Sequence, residues 1–402
     1  KFHRFKQSIK LTKKDIIAIS VITCVYSVIA LYNLGNLHAP QTETTVDDNG
    51  ITIDLGSEKD IAKTEFFLGA RQLEEDRNLI FTFFNENGDV VFTDDVTSGS
   101  VFYWTIRDTV AKARYINVSA PSADIPDSPD DKIYLREICF LTDDAEPIMP
   151  VNTDNKTVNI LFDEQDMILY GKSFMGETYF DEIYHARTAY EFINKMSVYE
   201  WTHPPLGKIF IGIGILIFGM VPFGWRIIGT LFGIFMIPVI YVFAKRMFKH
   251  SFIALTSCLL FTFDFMHFAQ TRIATIDVYV TFFIILMYYY MYKYYSMSFY
   301  DTPLKKTLIP LGLSGLFFGF AVACKWTGLY AGAGLAIIFF YTVYLRYKEY
   351  LFALGKPDIT TDTIQHNDVI RNFRKNLLIT LIYCVVMFII VPLTIYTISY
   401  IP

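Results

Sequence analysis

Long apolar runs edged by lysine and arginine occupy both ends of this chain, and a polar stretch of alternating character separates them. Apolar runs of about 20 residues predict membrane-crossing helices. The runs are Ile16–Leu34, Trp225–Ala244, Ser251–His267, Ile276–Tyr292, Leu308–Ala323, Leu329–Leu345 and Leu377–Ser399, which predicts seven crossings. Pro204–Val221 is also apolar, but it is short and holds Gly207, Gly212, Gly214 and Gly219. As a crossing, it would place Lys245-Arg246-Met247-Phe248-Lys249 outside. Laid along the outer face, it leaves Lys293, Lys305, Lys306, Arg346, Lys348, Arg371, Arg374 and Lys375 inside, together with the basic Lys1–Lys14. That second arrangement follows the positive-inside rule and is the expectation.

The polar stretch reads differently. Ile51–Gly56, Leu79–Phe84, Asp89–Phe92, Ala113–Val118 and Ile133–Ile138 alternate like strands, with turn residues such as Asn87-Gly88 between them. Many short strands with no convincing helix between them predict a β-sandwich. Asp181–Lys195 then has the pattern of an amphipathic helix. The expected division is residues 1–40, a cytoplasmic N-terminus and first membrane helix; 41–166, an extracytoplasmic all-β module; 167–224, outer juxtamembrane helices; and 225–402, membrane helices two to seven. The fold class is an α-helical polytopic membrane protein with an all-β insert. A chain that begins at Lys1 rather than Met, and stops at Pro402 just after an apolar run, reads as a piece of a longer protein.

Composition supports the membrane reading. Of 402 residues 53% are hydrophobic, with 37 Phe and 27 Tyr, which is too apolar for an ordinary soluble domain. The net charge of -5 hides an asymmetry: 30 of the 40 acidic residues lie between Glu43 and Glu182. No broad basic surface points to nucleic acid. The cysteines are Cys24, Cys139, Cys258, Cys324 and Cys384; only Cys139 lies in the polar region, so no disulfide is expected inside that module.

This topology gathers ionisable residues on the outer face, where they are costly unless they serve a function. They are Asp181-Glu182 with His185 one helical turn on; His203 and Lys208; Arg226; Asp264, His267, Gln270, Arg272 and Asp277; and Lys325-Trp326. Singly, each has a plain explanation: a snorkelling cation, a helix cap or an interfacial tryptophan. Convergence of acids and bases at one depth points instead to acid–base chemistry on a substrate held in the lipid.

Phe180-Asp181-Glu182, His203-Pro204-Pro205-Leu206-Gly207-Lys208, Arg226, Phe263-Asp264 with His267, Gln270-Thr271-Arg272 and Asp277, and Lys325-Trp326-Thr327-Gly328-Leu329 come in that order. Together they resemble the motifs of the protein O-mannosyltransferases, glycosyltransferases of the GT-C class (family 39) that use a polyprenyl-phosphate sugar. The polar segment resembles a discoidin-like (factor 5/8 C-type) jelly roll, carried by Ile-Thr-Ile-Asp-Leu-Gly, Ala-Arg-Tyr-Ile-Asn-Val and Leu-Arg-Glu-Ile-Cys-Phe. Such modules often bind carbohydrate, so a carbohydrate ligand or a spacer role is expected of it.

The resemblance implies a GT-C-like fold and inverting transfer of a sugar, mannose first, to Ser or Thr of exported proteins. Asp181 would be the general base. Glu182 would orient the acceptor or a basic neighbour. Arg226, Lys208, Arg272 and Lys325 would bind the donor phosphate. His203, Asp264, His267 and Asp277 would support them. The implied partners are membrane lipid, polyprenyl-phosphate-mannose and a protein or peptide acceptor. The implied location is the cell membrane, with site and insert extracytoplasmic. No cofactor is required: clustered Asp, Glu and His are competent metal ligands in principle, but no ligand spacing demands a metal. The alternatives are a GT-C transferase acting on a lipid or cell-wall glycan, and a sugar-binding membrane sensor or transporter. The latter would carry ionisable residues along a path inside the spans.

Overall fold

The computed structural model describes residues 9–71, 78–97, 101–121, 133–151, 154–169, 171–300, 302–355 and 363–401. In chain order, helix α1 (Lys13–Leu31) is followed by strands β1 (Thr44–Val46), β2 (Ile51–Arg71), β3 (Asn78–Phe84), β4 (Val90–Thr97), β5 (Trp104–Ser119), β6 (Ile133–Leu141) and β7 (Pro147–Ile148). Helices α2 (Lys156–Ile160), α3 (Glu182–Asn194), α4 (Leu206–Phe218), α5 (Pro222–Phe248), α6 (Ser251–Thr262), α7 (Phe265–Thr271), α8 (Asp277–Tyr295), α9 (Leu304–Cys324), α10 (Thr327–Leu354) and α11 (Thr363–Val385) come next. A π-helical turn at Val386–Ile390 leads into α12 (Val391–Ile398). The residues form two compact units: Lys1–Tyr32 with Trp201–Phe210 and Ile228–Pro402, and Asn33–Glu200 with Ile211–Ile227.

The second unit is built on one antiparallel sheet of order β1-β6-β2-β5-β3-β4, with β7 beside β6. Alternation is clean in β3, where every second residue is buried. β2 is long and bulged: its register shifts between Asp54 and Lys59 and again between Ile61 and Lys63, and Gly56 takes φ +79° there. Bulges bend and twist a strand, and here they curl the sheet onto itself. The Phe83 ring of β3 lies 6.1 Å from the Phe140 ring of β6. Those strands are three places apart, about 14 Å on a flat sheet at ordinary strand spacing. The sandwich-like core therefore comes from one folded sheet rather than two separate ones. The sheet meets α3 through Phe102, whose ring lies 4.8 Å from that of Tyr190.

Among the described residues, five helices are long and apolar enough to cross a membrane: Lys13–Leu31, Pro222–Phe248, Leu304–Cys324, Thr327–Leu354 and His366–Ile398. A bent pair makes a sixth candidate. Ser251–His267 was expected as one span, but α6 ends at Thr262 and α7 departs at 56°. The break falls at Asp264, whose carboxylate accepts the Met266 and His267 backbone N–H groups and so starts a new helix. α8 has the length to span, about 28 Å at 1.5 Å per residue, but its tyrosines make it less apolar than the other five. α4 has 13 residues. At about 20 Å it is too short to cross a core of about 30 Å. Ile22, Tyr26 and Ala30 of α1 pack with Ile234, Ile237 and Tyr241 of α5 and with Ala254 and Cys258 of α6. A second cluster joins α8, α9 and α10 through Met287, Met291, Leu311, Phe318, Leu335 and Phe339.

Candidate functional site

The adjacent acids Asp181 and Glu182 sit at the start of α3 and have opposite surroundings. Glu182 is the first helical residue, where a carboxylate is favoured by the helix dipole. It is fully buried. Its carboxylate accepts Arg226 Nε at 2.7 Å and Nη2 at 2.6 Å, and the Tyr179 backbone N–H at 2.7 Å. Asp181 is the N-cap residue, yet its side chain makes no capping bond. It is half-buried. Among the described residues its carboxylate has no hydrogen bond or ion pair.

Arg226 is also fully buried. Its remaining donors go to backbone: Nη1 to the carbonyls of Leu34 at 3.0 Å and Phe174 at 2.6 Å, and Nη2 to that of Glu177 at 2.7 Å. The guanidinium stacks 3.9 Å from the centroid of the Phe174 ring. A guanidinium has five N–H donors, and all five are accounted for inside the fold. The sequence reading expected these donors on the donor phosphate; in this structure they are engaged by Glu182 and by backbone carbonyls. Of the two roles expected of Glu182, contact with a basic neighbour is the one this geometry contains.

Between Tyr179 and Glu182 the backbone is unusual. Phe180 takes φ +56°, an uncommon conformation for a bulky residue. Phe180 and Tyr179 are exposed on either side of that turn. His185 is buried and lies 3.8 Å from the Glu200 carboxylate.

The other candidates belong to the helical unit. Lys325 follows α9, and its Nζ donates to both carboxylate oxygens of Asp277 at 2.8 and 3.1 Å. The pair is open, with side chains 22% and 42% exposed. Lys208 is buried, and its Nζ reaches the His203 carbonyl at 3.4 Å. Arg272 is half-buried, donates to the Tyr32 carbonyl at 2.7 Å and lies over the Phe268 ring. His267 is buried between Tyr26 and Phe261, with ring centroids at 5.0 and 4.4 Å. Of the expected supporting residues, Asp277 holds Lys325, one of the expected phosphate cations, through its side chain; Asp264 acts as a helix cap.

Away from these residues, Glu137 of β6 with Asp163 and Glu164 is a group of acids whose oxygens lie within 4.8 Å of one another. Glu137 is fully buried. It accepts from Gln165 Nε2 and the Glu164 backbone N–H. Burial pushes its pKa up to about 8. None of the three acids was singled out from sequence: Glu137 reads as one more residue of an alternating strand, and Asp163 and Glu164 lie outside any strand in an acid-rich stretch. The Leu34, Phe174 and Glu177 carbonyls that gather around Arg226 have no side-chain signature at all.

Residues 216–401 match the PMT family, dolichyl-phosphate-mannose-protein mannosyltransferase. Arg226, Asp264, His267, Arg272, Asp277 and Lys325 fall inside the PMT match; Asp181, Glu182, His203 and Lys208 precede it. A polyprenol-phosphate-mannose–protein mannosyltransferase of Mycobacterium tuberculosis is 31% identical over 116 residues, 27% of this chain and 22% of that protein. The protein of the same description from Corynebacterium glutamicum is 28% identical over 187 residues, 42% of this chain and 34% of the relative. The matches thus span 22 to 34% of the length of these curated relatives. A solved complex of S. cerevisiae protein O-mannosyltransferase Pmt1-Pmt2 bound to the sugar donor aligns with 55% of this chain and 29% of that chain, at TM-score 0.43 and 17% identity.

Proposed function

We propose that this chain carries catalytic residues of a membrane mannosyltransferase, which moves mannose from a polyprenyl-phosphate carrier to a Ser or Thr hydroxyl of an exported protein. The observation that carries this reading is the contrast at the start of α3. Of two adjacent acids, Glu182 is buried and fully bonded, while Asp181 is accessible and uncommitted. A hydroxyl is a poor nucleophile near neutral pH, and a positioned carboxylate takes its proton as it attacks the anomeric carbon. A single displacement inverts that carbon and needs one base. The bond from anomeric carbon to phosphate oxygen breaks, and the electron pair leaves with the lipid phosphate.

Charge growing on that phosphate calls for cations. Arg272 and Lys325 are the half-buried candidates, and Asp277 holds Lys325 in one orientation. Lys208 adds positive charge from a buried position. Asp181 and the sheet are read as extracytoplasmic, with α4 lying along that face. The family match and the names of the relatives support mannose and a protein acceptor over a lipid or glycan acceptor. Membranes containing the full-length protein, supplied with labelled polyprenyl-phosphate-mannose, should transfer label to a Ser/Thr-rich peptide. Transfer to lipid or glycan alone would replace the protein acceptor in this reading.

A further inference from the structure

We propose that Arg226 and Glu182 are positioning residues for transfer: a buried pair that pins the Tyr179–Glu182 turn and so presents Asp181, without touching the donor. The inference rests on the mannosyl-transfer reading above. Arg226 gathers two chain segments, at Leu34 and at Phe174–Glu177, through three backbone carbonyls. Glu182 ties the guanidinium to the Tyr179 N–H. The two residues between Tyr179 and Glu182 are therefore held at both ends. Phe180 takes a left-handed conformation, which persists in a bulky residue only where the surroundings over-determine it. Asp181 follows at once, its side chain outside the bonded network. The planar fork of arginine suits this task. Lysine offers three donors from one nitrogen and cannot bond Glu182 bidentately while holding three carbonyls.

The two roles for Arg226 separate in kinetics. A phosphate ligand acts on donor affinity, whereas a positioning residue acts on turnover. The test uses full-length protein in proteoliposomes with polyprenyl-phosphate-mannose and a Ser/Thr peptide, and follows amide hydrogen exchange at residues 179–183 in parallel. Arg226→Lys keeps the charge and Glu182→Gln keeps the shape. In both, kcat should fall by at least ~30-fold while donor KM stays within about threefold. Exchange of the turn amides should rise by roughly tenfold or more as the turn opens locally. A donor KM raised by about tenfold with kcat retained would make Arg226 a phosphate ligand and overturn the proposal. Unchanged kcat and exchange would overturn it too. If either single variant fails to fold, the double variant Arg226→Gln with Glu182→Gln leaves no lone buried charge. It should fold with low kcat and fast exchange, and wild-type turnover in it would overturn the proposal. The exchange arm needs no donor. A wild type with a protected turn but no mannosyl transfer would therefore sink the transferase reading and leave the pinned turn standing.

Discussion

Two ion pairs in this molecule join the same kinds of group and do opposite things. Arg226–Glu182, in the unit with the sheet, has no solvent exposure on either side chain. Lys325–Asp277, in the helical unit, is 22% and 42% exposed. Burial makes the first pair an all-or-none structure: removing two charges from water is compensated only if every donor and lone pair finds a partner, and here backbone carbonyls and the Tyr179 N–H supply them. The second pair keeps its water and aims an ammonium without consuming it. A buried pair fixes backbone, and an open pair remains available to a ligand.

The comparison breaks first at Arg226. Arg226→Ala leaves Glu182 buried without its partner, and should cost about 3–5 kcal/mol of stability. Thermal unfolding in detergent should show it. A loss below about 1 kcal/mol, the scale of an exposed pair, would mean the two pairs do not differ. Lys325→Ala should behave in the opposite way. Stability should change by at most about 1 kcal/mol, while donor KM rises by roughly tenfold, one phosphate contact's worth of binding. Unchanged donor KM in that variant would take Lys325 out of the site.

A smaller effect sharpens the contrast from the sheet. Glu137 is a buried carboxyl with neighbours that are also acids, and burial raises its pKa from the ordinary 4.5 to about 8. The folded state therefore holds a proton that the unfolded chain gives up. Its contribution to stability is complete below about pH 4.5 and is lost as pH rises through about 8. Excised residues 41–166 should show a β-type circular dichroism spectrum and melt at lower temperature as pH climbs across that window. Glu137→Gln should flatten the dependence; an equally steep profile in that variant would place the titration elsewhere.

Much of the architecture was legible because its signals are local. The edges of α3 follow from the amphipathic run Asp181–Lys195, and Lys195 closes the helix with φ +54°. Strand positions came from alternation. The helix break at Asp264 was missed because hydropathy continues across it; only the capping preference of aspartate marks the spot. The sandwich-like core was expected, but its formation from one curled sheet was not, because curl depends on register shifts in β2, which no single residue announces. The site was half legible. Sequence named Asp181, Glu182 and Arg226, and a resemblance supplied their roles. Burial then separated them: an arginine 44 residues from its glutamate gives no sign, in sequence, of whether it faces a phosphate or a carboxylate.

The account stands most directly on Asp181. Asp181→Asn keeps the shape of the side chain and removes the base. Turnover and donor binding measured together in the same membranes should show transfer reduced by at least about a hundredfold, with donor affinity unchanged. Near-normal turnover at normal expression would contradict the assignment of Asp181, and with it the division of labour between the two adjacent acids.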